Sequence, residues 1–174
     1  MEENKKGTGS IRLLQAYLQN QFKSPCGHVT FWFYFVMAII GFGGLGIWVE
    51  IVKTFQPERG VDGLITAIYT YFPAVAAAAA FQIDLEEGKK NYVRAFALTA
   101  LIVIFAPAFL HAAGVIANHF WSLAIGVLFT LVALALWWVA NGRNLSFHDD
   151  IDPDDSLGLD PSAAISGGAS PIKV

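Results

Sequence analysis

The stretch VTFWFYFVMAIIGFGGLGIWV, residues 29–49, decides the fold, because it runs for twenty-one residues without a charge. A helix rises about 1.5 Å per residue, so about 20 apolar residues cross a hydrocarbon core of roughly 30 Å. Three more stretches meet that requirement: 64–83, 95–113 and 120–140. The breaks between them are 53–62, 84–94 and 114–119, each short enough to make consecutive helices antiparallel neighbours. Lipid cannot satisfy free backbone N–H and C=O groups, so the segments are expected to be helical. The expectation is an all-α integral membrane protein with four transmembrane helices. The span 64–83 is the least apolar, with its alanine run and Pro73, and a buried or re-entrant helix is the alternative there.

Composition agrees with lipid as the solvent. The 174 residues are 55% hydrophobic and 14% charged, against about 25% charged in a typical soluble domain. The net charge of -3 says little, because the charges are segregated along the chain. A single cysteine, Cys26, excludes an intrachain disulfide framework. Most of the 11 Lys and Arg residues flank membrane segments, so direct nucleic-acid binding is not expected.

Lys and Arg in short loops mark the cytoplasmic side. The N-terminal segment carries Lys5, Lys6, Arg12 and Lys23, the second loop Lys89, Lys90 and Arg94, and the C-terminal segment Arg143. The first loop has Lys53 and Arg59, and the third has no Lys or Arg. The bias places both ends in the cytoplasm (N-in/C-in). Trp32 and Trp48, at opposite ends of the first span, and Trp121, Trp137 and Trp138, near the ends of the fourth, are expected as interfacial anchors. A cleaved signal peptide is not expected, since the first apolar run is too long and follows a polar segment of 28 residues.

The arm 1–28 should contain an amphipathic helix over 10–23, capped by Ser10, with Ile11, Leu14, Leu18 and Phe22 at helical spacing. It would lie in the headgroup region or on a partner subunit. After 29–140 the chain changes character. Asn141-Gly142 is expected to end the last helix in the left-handed manner. The segment 141–174 is an acidic tail with Asp149, Asp150 and Asp152, and it lacks the apolar residues to fold alone. It reads as a disordered spacer or as a docking tail for a basic partner. Asp150, Asp152 and Asp154 lack the glycine and closing glutamate of a calcium loop.

Gly41, Gly43, Gly44 and Gly46 crowd the first span. They have no following Lys-Ser/Thr and no preceding strand, so they read as a packing surface or hinge rather than a phosphate loop. Ala76 and Ala80 have small-xxx-small spacing, and Pro73 and Pro107 invite kinks. No ionisable residue sits at the centre of a span, as a proton relay or voltage sensor would require. The polar groups of the second helix either line a narrow path or bond between helices. His111 and His119 flank the outer loop as spectators or as pH sensors. The sequence has no zinc-ligand set and no Ser-His-Asp or HExxH arrangement, so no enzyme, cofactor or metal is expected.

A basic arm, four closely spaced helices and a polar tail, with Tyr71-Phe72-Pro73-Ala74 and Asp84-Leu85-Glu86-Glu87 between them, resemble the small membrane subunit of the bacterial Kiwa anti-phage defence system. The resemblance covers about residues 10–145, rests on architecture and size, and leaves the acidic tail unmatched. It implies an inner-membrane homo-oligomer, a tetramer, that senses phage attack and recruits a cytosolic DNA-binding effector, and it implies no catalytic residues. The expected function is therefore a non-enzymatic sensor or scaffold, with Lys89, Lys90, Arg94, Asp149, Asp150 and Asp152 as docking residues. The alternative is a small oligomeric pore that depolarises the membrane.

Overall fold

The computed structural model describes residues 3–56, 60–85 and 91–149, and among these every regular element is helical. The chain begins with α1, Glu3–Lys23, followed by a 3₁₀ turn, Ser24–Gly27. Residues 29–54 are helical in three pieces: α2, Val29–Phe33; a π-wound segment, Tyr34–Gly43; and α3, Leu45–Thr54. Then come α4, Asp62–Leu85; α5, Asn91–Ala112; α6, His119–Asn141; and a 3₁₀ turn, Leu145–Phe147. The helices α4, α5 and α6 are each long and apolar enough to cross a membrane. The count rises to four if Ile11–Gly27 and Val29–Gly43, which meet at 96°, form one span.

The central helix is α4, which packs along α6 and α5 and against α3. Its inner face is built from Ile65, Ile68, Phe72, Ala76, Ala79, Ala80 and Ile83. Small residues at these positions bring helix axes together where no water drives association. Gly126 on α6 shows how close the approach is: a Cβ there would lie 2.7 Å from Ile68 and 3.1 Å from the Tyr69 ring. Pairs Tyr69–Ser122 and Gln82–Asn141 hydrogen-bond across the interface at 3.1 and 2.8 Å, so α4 and α6 run in the same direction. Both α4 and α5 remain unbroken helices through Pro73 and Pro107, which are buried.

Residues 29–54 lie antiparallel to α4. Tyr71 reaches Ile39, and Gly63 abuts Glu50, so this segment runs from the Asp149 end of the bundle to the Asp62 end. At the Asp149 end, Phe31, Phe35, Trp137, Trp138 and Phe147 form an aromatic cluster with ring centroids 4.8–6.3 Å apart. Trp137 and Trp138 are buried there, while Trp32, Trp48 and Trp121 remain exposed. The indole pair is thus core, not an interfacial anchor, because Phe31 and α1 cover it.

Helix α1 turns across the ends of α5 and α6. It begins at Glu3, so Ser10 lies within it and does not cap it. Its inward face is Leu14, Tyr17, Leu18 and Gln21, whereas Ile11 is exposed. Trp138 donates its indole N–H to the Phe22 carbonyl at 3.2 Å, pinning the end of α1 to α6. Gly142 has ordinary right-handed φ of -59°, correcting the left-handed expectation. It is glycine because a Cβ would run into the Gln21 carbonyl. The left-handed stop occurs at Gly114, φ 74°, just after α5.

Candidate functional site

Within 29–54, the backbone departs furthest from an ordinary α-helix, and the feature grows from its glycines. In a π-helix each N–H reaches back five residues instead of four. The wide winding ends at Gly43, and Gly44, with φ -82° and ψ 6°, separates it from α3. A Cβ on Gly44 would collide with the Ile40 carbonyl oxygen. One on Gly43 would sit 3.2 Å from the Ala38 carbonyl and 3.5 Å from the Tyr71 ring. Gly41 lies against the Val36 carbonyl at 3.3 Å, and Gly46 faces open space. Only Gly44 is strictly required by this geometry.

Irregular winding exposes carbonyls that need a partner wherever water is excluded. Two side chains cover them. The Tyr71 hydroxyl donates to the Ile39 carbonyl at 2.8 Å, and the Trp48 indole donates to the Ile40 carbonyl at 3.0 Å. Tyr71 thus clamps the break to α4. Grooves of about 350 and 160 Å³ lie on either side of it, the first floored by Gly43, Gly46, Ala67, Thr70 and Ala74.

The Asp149 end of the segment is held by the tail. The Asp149 carboxylate accepts from the Val29 N–H, from the Thr30 N–H at 3.1 Å and from the Thr30 hydroxyl. A carboxylate so placed satisfies orphan helix donors and complements the helix dipole. His28, the residue in the capping position, makes no such bond from its own side chain. Its imidazole instead stacks on His148 at 4.0 Å, and its Nδ1 accepts from the Asp149 N–H at 3.2 Å. The Asp149 carboxyl is held below its ordinary pKa, chiefly by the Thr30 hydroxyl bond, with the two backbone bonds and nearby His28 adding to it.

At the opposite end, Lys53 pairs with Glu50 at 2.5 Å, and His119 with Asp62 at 2.7 Å. The latter pair is 60% and 81% exposed and therefore worth little. His111 is half-buried, stacks on Tyr69 at 4.1 Å, and approaches the Ile116 carbonyl at 3.3 Å and Ser122 Oγ at 3.4 Å. It ties the turn between α5 and α6 to the bundle and is no exposed spectator.

The threonines of α4, α5 and α6 bond back to their own helices: Thr66 to the Asp62 carbonyl, Thr70 to Thr66, Thr99 to Ala95 and Thr130 to Gly126. The bonds from α4 to other helical segments come instead from Tyr69, Tyr71 and Gln82. Ala76 and Ala80 are buried inside this chain, against its own helices, which leaves Thr66, Thr70, Ala74 and Ala78 as the exposed small face of α4. Arg94 lies in the first turn of α5, not in a loop, with its Nε 4.0 Å from Asp84. Lys89, Lys90, Asp150 and Asp152 lie outside the described residues.

The two clamps on the break carry no sequence signal that would have found them. Tyr71 and Ile39 are thirty-two residues apart, and an indole reaching back eight residues follows no regular helical spacing. Among the described residues no three His, Cys, Asp or Glu side chains come together in a way that could hold a metal ion. No protein-family model matches the chain, and neither the curated proteins nor the solved structures include one that matches it.

Proposed function

We propose that the chain is a non-enzymatic sensor or scaffold subunit of a bacterial inner membrane, with four crossings and both ends in the cytoplasm. The observation that carries the reading is the double attachment of residues 29–54. Tyr71 holds the glycine break at its middle, and Asp149, at the start of the acidic tail, caps its cytoplasmic end. A change in bilayer tension or thickness that rewinds this segment moves the tail with it. The tail, Arg94 and the second loop then present or withdraw a docking surface for a soluble partner. The exposed face formed by Thr66, Thr70 and Ala74, beside Gly43 and Gly46, is the surface through which copies of the chain assemble. On the resemblance to the Kiwa membrane subunit, the stimulus is phage attack, the assembly a tetramer and the partner a DNA-binding effector.

The test is co-fractionation with the soluble product of a neighbouring gene. That protein should sediment with membranes holding the wild-type chain and return to the soluble fraction when Lys89 and Lys90 are replaced by Glu or when residues 150–174 are deleted. Association that survives both changes sinks the docking role. A second reading, an oligomeric pore, draws on the same exposed Thr66–Thr70 face, which could line a path at the centre of a ring. Ion flux through purified protein in liposomes, abolished by Thr70→Leu, would favour it over the scaffold.

A further inference from the structure

Helix α1 roofs a cleft of about 220 Å³ between α5 and α6, two helices that make far less contact with each other than either makes with α4. Its walls are apolar throughout: Leu18 and Phe22 from α1, Phe96 and Ile104 from α5, Val132 and Leu136 from α6. From Phe96 to Ile104 it runs roughly 12 Å along the bundle at the helical rise. Its size decides what fits. A helix with side chains is about 10–12 Å across and cannot enter, whereas a single hydrocarbon chain can. The larger hollow of about 610 Å³ beside Ile102, Phe105 and Phe109 is formed by α5 alone and has no opposing wall.

Charge selects the headgroup. Between Ile11 and Lys23, α1 carries Arg12 and Lys23, both exposed, and no acidic residue. Cationic side chains on a helix at the bilayer surface favour anionic lipid. Val132, in the wall of the cleft, is itself exposed, so the cleft opens on the surface of the bundle.

We infer that this cleft holds one acyl chain of an anionic phospholipid whose headgroup lies beside α1. The acyl chain lies between Leu18 and Phe22 of α1 and the walls that α5 and α6 supply. The Trp138–Phe22 hydrogen bond holds over the cleft the end of α1 that carries Leu18 and Phe22.

The experiment uses the full chain reconstituted in vesicles of equal parts phosphatidylcholine and phosphatidylglycerol, then extracted in mild detergent. Native mass spectrometry should find one phosphatidylglycerol retained per wild-type chain. Ala135→Phe fills the cleft and should cut retention about tenfold, while Val127→Phe, on the exposed face of α6 outside the cleft, should leave it unchanged. Replacing Arg12 and Lys23 by Gln should remove the preference for phosphatidylglycerol over phosphatidylcholine. In wild-type protein, phosphatidylglycerol bearing a photoreactive group on its acyl chain should label 96–104 and 132–139, which tests the site without any substitution. Equal retention by the cleft-filled variant, labelling spread evenly over the exposed faces of α4, α5 and α6, or a retained free fatty acid in place of phospholipid would each overturn the assignment.

Discussion

The α4–α6 interface and the 29–54 segment solve the same problem in opposite ways. In the first, regular helices meet closely where Gly126 admits Ile68 and Tyr69, and packing along their length is joined by the Tyr69–Ser122 and Gln82–Asn141 hydrogen bonds. In the second, the backbone is irregular, and individual hydrogen bonds, donated by Tyr71 and Trp48 and accepted by Asp149, hold it. Close packing spreads its energy over many contacts, whereas a clamp concentrates it in a few bonds that can be exchanged. Loss of one bond should therefore tell locally in the clamped region, whereas a clash in the packed region should tell on the whole bundle.

Substitutions can break this contrast in graded steps. Gly126→Val should have the largest effect, since the added methyls run into Ile68 and Tyr69. A loss of about 3 kcal/mol is expected from such overpacking, read as a lower thermal midpoint in detergent. Gly44→Ala should cost about 2 kcal/mol because a backbone carbonyl, not a yielding side chain, stands in the way. Tyr71→Phe keeps the ring and removes the bond to the Ile39 carbonyl, at about 1 kcal/mol. Faster amide exchange over 34–43, with exchange over α4 unchanged, would confirm that the loss is local. Equal acceleration in both regions would show that the two are one cooperative unit and that the contrast is false.

The Asp149 cap gives a smaller, pH-dependent effect. Its carboxyl titrates below the ordinary value in the native state, so the bond contributes fully above about pH 4 and is lost as pH falls through the lowered native value. Protection of the Val29 and Thr30 amides should follow that course in the wild type. In Asp149→Ala it should be low and independent of pH. Gly46→Ala is the control: its Cβ meets nothing within 4 Å, and a change within about 0.5 kcal/mol is expected.

The apolar runs made the long helices legible, because hydrocarbon thickness and helical rise leave little choice for α4, α5 and α6. The glycine cluster marked the site of irregularity, but not its form. Four glycines were equivalent in the sequence, and only surroundings such as the Ile40 carbonyl single out Gly44. The same holds for Trp137 and Trp138. An indole near the end of a span reads as an anchor until the residues covering it, here Phe31 and α1, are known. Asp149 was legible as a charge in an acidic tail, but its partners, Val29 and Thr30, lie some 120 residues away. Contacts of that separation leave no local periodicity to read.

Gly142 has a practical consequence. By admitting the Gln21 carbonyl at van der Waals range, it makes the exit of α6 and the last turn of α1 neighbours, and the Asp149 cap repeats the juncture seven residues later. Fluorophores attached near residues 23 and 143 would therefore transfer energy within a single polypeptide. A split reporter fused at these two positions would reassemble in a monomer, so subunit counting by complementation calls for labels at the Asp62 end instead.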